Sequence, residues 1–126
     1  MFSPRKLLCV LALLPVTQVA LADDALDAKM SKLASAAGCF TCHSIESGKP
    51  GPNGMAPIGP AWQDVAKRYK GDKKAADTLV KTVQQGSNPY GSHWKDKVSG
   101  LAMPPNAVAI NEADTKKLVA WILALK

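Results

Sequence analysis

The sequence predicts an all-α fold of about four helices in a single domain. Four segments space their apolar residues three and four positions apart, as one face of a helix requires, and no segment alternates apolar and polar residues as a strand does. The chain has 126 residues, 47% of them hydrophobic, which is enough for one domain. Two long segments without a regular period separate the helices. We therefore expect a small helical domain with two long loops.

The first residues have the pattern of a secretory signal peptide. Two basic residues precede a short apolar run, and Ala20 and Ala22 give the small-x-small pattern of a cleavage site. An uncleaved membrane anchor is the alternative, but the apolar stretch is short and Pro15 interrupts it. We therefore expect cleavage of residues 1–22, a mature domain of residues 23–126 in the periplasm, and no stable membrane insertion.

The first two helices flank the first long loop. The first is expected from about Leu26 to Ala37, with one apolar face made of Leu26, Met30, Leu33 and Ala37. The second is expected to begin at Pro60, whose fixed φ suits a first turn, and to end at Gly71. Its apolar face would consist of Trp62, Val65, Ala66 and Tyr69.

The last two helices flank the second long loop. The third is expected to end at Gly86, and its apolar face would consist of Ala76, Leu79, Val80 and Val83. The fourth has Asn111 as its N-cap, while Glu112 and Asp114 favour the positive end of the helix dipole. Its buried face would consist of Leu118, Trp121, Ile122 and Leu125.

The loops over residues 44–59 and 87–110 are unusually long for a compact domain of this size. Loops of this length leave many backbone groups and apolar side chains without partners unless they surround a large buried group. The sequence therefore predicts a cofactor that organises both loops.

The segment Cys39-Phe40-Thr41-Cys42-His43 supplies a site for such a cofactor. In a CxxCH motif the two sulfurs lie about one helical turn apart, so both can add to the vinyl groups on one edge of a haem. The adjacent histidine then lies under the ring centre, where its imidazole reaches the iron. We expect Cys39 and Cys42 to attach one haem c covalently, with His43 as an iron ligand.

Three other interpretations of the two cysteines are weaker. A thioredoxin-like CxxC follows a strand, and no strand pattern is found near residue 39. A structural zinc site needs four ligands, and His43 and His93 lack the usual pair spacing. A disulfide would leave His43 and both loops unexplained.

The second axial ligand of the iron has four candidates. Met30 belongs to the first helix face, and Met55 lies close in sequence to His43, so we interpret both as packing or surface residues. His93 lies in a polar loop and is typical of a surface histidine. Met103 precedes two prolines that stiffen the backbone, and its thioether favours ferrous iron. We therefore expect Met103 to be the ligand, with an open or His93-ligated iron as the alternatives.

The motifs at 39–43 (CxxCH), 58–62 (IGPAW) and 103–106 (MPPN), together with the tryptophan-bearing last helix, resemble the small bacterial class I cytochromes c. The resemblance covers nearly all of residues 23–126 and implies the class I fold around one haem. It also implies that the carbonyl of Pro60 accepts a hydrogen bond from the ring of His43, and that Trp94 donates one to a haem propionate.

The chain departs from the compact members of that family at three places. The segments over 47–54 and 95–100 are longer, and Thr82 stands where compact members have a basic residue facing a propionate. The resemblance therefore predicts the iron ligands more firmly than the propionate contacts.

The resemblance implies an electron carrier, not an enzyme, since both axial positions of the iron would be filled. A haem subunit that relays electrons within an exported oxidoreductase complex is the alternative. A haem enzyme or gas sensor with an open iron is a third hypothesis, but the sequence offers no polar group for its chemistry.

The charge of the chain limits its partners. Removal of Arg5 and Lys6 lowers the basic count from 16 to 14, the 10 acidic residues stay, and the net charge falls from +6 to +4. The chain has no run of basic residues of the kind that would indicate a nucleic-acid partner. We expect transient contact with other periplasmic redox proteins, as donor and acceptor, with only weak or moderate dependence on ionic strength.

Overall fold

A computed structural model describes residues 18–126, and within this range the chain is helical with long connecting loops and no strands. The α-helices are α1 (Gln18–Ala36), α2 (Trp62–Arg68), α3 (Ala75–Gln85) and α4 (Glu112–Ala124). Short 3-10 turns lie at Cys39–Thr41 and Pro52–Gly54. The predicted all-α fold with four helices is therefore confirmed. Most of the predicted signal peptide lies outside the described residues, and its cleavage stays a prediction.

Helix α4 forms the centre of the core because it packs against α1, α2 and α3. The rings of Trp62 and Trp121 meet edge to face with centroids 5.7 Å apart. The indole Nε1 of Trp121 donates a 2.6 Å hydrogen bond to the Asp27 carboxylate, which ties α1 to α4. The buried cluster consists of Met30, Ala34, Trp62, Val65, Ile110, Leu118, Trp121 and Ile122.

The predicted buried faces of α1 and α3 need two corrections. Leu26 is 46% exposed, and the fully buried position of α1 is Ala34. In α3 the buried alanine is Ala75, whereas Ala76 is exposed. Alanine satisfies helical spacing on any face, so the packing of neighbouring helices decides which alanine is buried.

The N-terminus of α4 agrees with its predicted cap. The Asn111 side chain accepts a 2.9 Å hydrogen bond from the backbone N–H of Asp114. One turn later Thr115 is completely buried, and its hydroxyl donates to the carbonyl of Asn111 and accepts from the Gln84 amide at 2.7 Å. The cost of burying the Thr115 hydroxyl is therefore compensated by its hydrogen bonds to Asn111 and Gln84.

Helix α2 begins at Trp62, two residues later than predicted, and it has no side-chain cap. Its first N–H groups instead donate to backbone carbonyls, Trp62 to Ser44 at 2.9 Å and Gln63 to Ile45 at 3.1 Å. These bonds satisfy donors that a side-chain cap would otherwise satisfy. The segment that follows the CxxCH motif is thereby fixed to the start of α2.

Candidate cofactor site

A tight turn brings the two cysteines of the CxxCH motif together. Gly38 has φ of 75°, a conformation that glycine adopts without strain, and it ends α1 just before the motif. The N–H groups of Cys42 and His43 then both donate to the carbonyl of Cys39, at 3.2 and 3.1 Å. Both thiols are free and half-buried, and burial raises the pKa of Cys39. The geometry therefore offers two free thiols about one turn apart.

The His43 ring is held from three sides. Its Nδ1 lies 2.8 Å from the carbonyl oxygen of Pro60, as the family resemblance predicts. The Trp62 ring stacks on the imidazole with centroids 5.9 Å apart and planes 25° apart. A Cβ at Gly59 would lie 2.7 Å from the Cε1 of His43, so only glycine fits against the ring. These contacts fix the orientation of the imidazole.

The protonation of His43 follows from the same contacts. Burial lowers the pKa of His43, and the hydrogen bond to Pro60 opposes this shift only in part. The imidazole is therefore neutral at pH 7, with the proton on Nδ1 where the Pro60 carbonyl accepts it. Nε2 then carries the lone pair that a metal ion requires.

Met103 is anchored through its backbone to the end of α3. Its N–H donates a 2.8 Å hydrogen bond to the Ser87 hydroxyl, and its carbonyl accepts a 2.9 Å bond from the Ser87 N–H. The Met103 side chain is half-buried, whereas Met55 is 58% exposed and Met30 lies in the core. Among the methionines in the described range, only Met103 is half-buried, which places it outside the core without exposing it fully.

His93 lies on the surface, where its Nδ1 accepts a 3.3 Å hydrogen bond from Arg68 and its ring meets that of Tyr69 edge to face. This placement agrees with its interpretation as a surface histidine. Across residues 18–126, no group of three or more His, Cys, Asp or Glu side chains could hold a metal ion. The zinc alternative therefore lacks a ligand set in the part of the chain that the structure describes.

The residues expected near the haem propionates give a mixed result. Trp94 is half-buried and packs against the core. Thr82 donates its hydroxyl to the carbonyl of Thr78 one turn earlier on α3. The propionate contact of Trp94 stays a prediction, and Thr82 stands where compact members have a basic residue.

Sequence reasoning missed two residues of this site. It assigned Trp62 to the core only, yet its ring also covers His43, and it gave Gly59 no role. The apolar spacing of α2 places Trp62 on the buried face but gives no indication of which side chain it meets. The close approach at Gly59 depends on the path of the loop between the motif and α2.

Residues 18–126 contain no helix that is both long enough and apolar enough to cross a bilayer. This finding concerns those residues alone.

Comparison with known proteins identifies relatives over most of the chain. The family described as cytochrome c matches residues 28–126. Cytochrome c-551 of Allochromatium vinosum is 42% identical over 93 residues, which cover 74% of this chain and 82% of the relative. Cytochrome c-552 of Hydrogenobacter thermophilus is 36% identical over 96 residues, which cover 75% of this chain and 80% of the relative.

Solved structures give the same result for the fold. The crystal structure of wild-type cytochrome c552 from Nitrosomonas europaea superposes with a TM-score of 0.59 at 33% identity. The superposition covers 76% of this chain and 99% of that chain. The similarity therefore extends over most of this chain and nearly all of that one.

Proposed function

Because this chain belongs to the cytochrome c family, with one covalently attached haem c as cofactor, we propose that it is a periplasmic electron carrier. The family consists of small electron-transfer proteins, and Cys39 and Cys42 fit its attachment motif. The observation that carries the proposal is the His43 ring, fixed between Pro60 and Trp62 and directly adjacent to two free thiols.

The site residues have distinct roles in this proposal. Cys39 and Cys42 would attach the haem through thioether bonds, and Nε2 of His43 and the Met103 sulfur would hold its iron. When bound, the haem supplies a one-electron couple between ferric and ferrous iron. The carbonyl of Pro60 holds the His43 proton on Nδ1 and so keeps Nε2 available as a ligand. The Met103 thioether favours the ferrous state.

The same ligand set argues against catalysis at the metal. If His43 and Met103 both held the iron, the chain would exchange electrons without binding a substrate there. We propose that residues 1–22 direct export and are cleaved, and that the partners are other periplasmic redox proteins met transiently. A relay subunit within an oxidoreductase complex uses the same site, and size-exclusion chromatography of the native protein distinguishes it by stable co-purifying subunits.

The decisive experiment expresses the full chain together with export and haem-attachment machinery. We expect covalent haem after denaturation, a reversible one-electron titration, and a far-red sulfur-to-iron charge-transfer band in the ferric protein. The variant Cys39→Ala should retain one thioether bond and shift the pyridine haemochrome band, because one vinyl group stays unreacted. A high-spin ferric spectrum with ready carbon monoxide binding to the reduced protein would instead indicate an open iron and contradict the carrier proposal.

A further inference from the structure

A groove of about 670 Å³ lies between α2 and the two long loops. Helix α2 contributes Lys67 and Arg68 to its wall, and the second loop contributes Trp94 and Lys97. The first loop contributes Lys49 together with several prolines. The groove is thus built from both segments that are longer than in compact cytochromes c.

The two loops form one continuous wall at this groove. The N–H of Ser99 donates a 2.8 Å hydrogen bond to the carbonyl of Pro57. The N–H of Gly100 donates a 3.0 Å hydrogen bond to the carbonyl of Ile58. A Cβ at Gly100 would lie 2.5 Å from the Ile58 oxygen, so the approach requires glycine. The position of the second loop is therefore coupled to that of the first.

Most of the net positive charge of the predicted mature chain, +3 of +4, lies at this groove. Four of the 14 basic residues that follow residue 22 line it, against one of the 10 acidic residues, Asp64. The groove therefore has a formal charge of +3, whereas the rest of the mature chain has ten basic and nine acidic residues, or +1. The sequence has no run of basic residues that would indicate this cluster.

Two of the four cations have no carboxylate partner in the described part of the chain. Lys49 pairs with Glu46 at 2.8 Å, and Lys67 lies 3.7 Å from Asp64. Arg68 donates a hydrogen bond to Nδ1 of His93, and neither Arg68 nor Lys97 forms an ion pair within residues 18–126. These two side chains can bind an external anion without first giving up an internal ion pair.

The groove is also directly connected to the candidate iron ligand. Pro60 lines the groove, and its carbonyl oxygen lies 2.8 Å from Nδ1 of His43. A molecule seated against Pro60 would therefore be one hydrogen bond away from the imidazole. Trp94 and Val98 give the same surface apolar contact area beside its charges.

From this placement we infer that the groove docks an acidic segment of a partner redox protein, with Arg68 and Lys97 as its principal anchors. Charge complementarity selects the occupant: the excess of cations favours carboxylates, and Trp94 with the flanking prolines favours an apolar residue between them. The inference rests on the proposed carrier function, because the connection through Pro60 matters only if His43 ligates a redox-active iron.

The test uses the mature haem-loaded protein and a synthetic glutamate-rich peptide that contains one leucine. Amide NMR titration at low salt should shift residues around Lys97 and Val98 selectively. The double variant Arg68→Gln/Lys97→Gln should bind about tenfold more weakly, because exposed ion pairs each contribute modestly. The matched control Lys32→Gln/Lys73→Gln removes the same charge from exposed positions outside the groove and should change binding less than about twofold.

Two results would overturn the inference. Equal weakening in both double variants would mean that net charge alone drives binding. A changed pH dependence of the reduction potential in Arg68→Gln/Lys97→Gln would mean that these cations interact with the carboxylates of the cofactor. Failure of the carrier proposal is seen separately, because the wild-type protein would then lack a reversible one-electron titration before any peptide is added.

Discussion

The two irregular segments of the site are held in different ways. The segment from Cys39 to Trp62 is fixed by a half-buried imidazole, a ring stack and backbone bonds to the start of α2. The segment from Ser87 to Ile110 is anchored by backbone bonds near Met103, while several of its large apolar side chains are exposed. The exposed residues include Tyr90 at 90%, Leu101 at 87% and Val108 at 99%. The first segment is thus organised by the protein itself, and the second depends more on what it covers.

This difference predicts a large effect of the cofactor on folding. Expression without export and haem attachment should give an unfolded chain, because the core of this small domain is modest and both loops gain buried contacts from the haem. Far-UV circular dichroism during heating measures the effect. A cooperative thermal transition in the haem-free protein would show that the protein core is sufficient without the cofactor.

The variant Met103→Ala tests the second segment at its proposed iron ligand. We expect the haem to stay attached, the reduction potential to fall and the iron to bind external ligands, because the thioether stabilises ferrous iron. Potentiometry and the far-red charge-transfer band are the measurements. The control Met55→Ala removes an exposed methionine and should leave both unchanged. A retained band in Met103→Ala would exclude Met103 as the ligand.

The variant Gly59→Ala tests the first segment, where the structure leaves no space. The added Cβ would lie 2.7 Å from Cε1 and 2.9 Å from Nδ1 of His43, so the ring must move. We expect a loss of about 1–3 kcal/mol in the free energy of unfolding, together with altered hyperfine-shifted imidazole signals in the ferric protein. The control Gly91→Ala has its nearest contact at 3.7 Å and should be nearly neutral. Equal effects of the two variants would mean that the imidazole is less tightly held than the contacts indicate.

The smallest expected effect concerns the anchor of Met103. Ser87→Ala removes the hydroxyl that accepts the Met103 N–H at 2.8 Å and should cost about 1 kcal/mol. It should also promote loss of the charge-transfer band at elevated temperature before global unfolding. Ser99→Ala, which removes an exposed hydroxyl 3.3 Å from the Pro57 carbonyl, is the matched control. If the two variants have the same melting temperature and lose the charge-transfer band at the same temperature, the second segment is not anchored through Ser87.

Features encoded by neighbouring residues could be predicted from the sequence. The CxxCH spacing identifies the attachment site because three residues span about one turn, and the apolar spacing of α4 correctly gives Leu118, Trp121 and Ile122 as buried. The N-cap at Asn111 is likewise local, since its side chain bonds an N–H three residues away. The hydrogen bond from His43 to Pro60 followed from the family resemblance.

Only the tertiary structure decided the features that join distant parts of the chain. The start of α2 at Trp62 follows from the Pro60 carbonyl turning to His43 and from caps supplied by Ser44 and Ile45. The +3 groove depends on loops more than forty residues apart in sequence meeting at Pro57 and Ser99. A local pattern specifies which residues form a helix and which face is apolar. It does not specify which surfaces meet, because that depends on the packing of the whole chain.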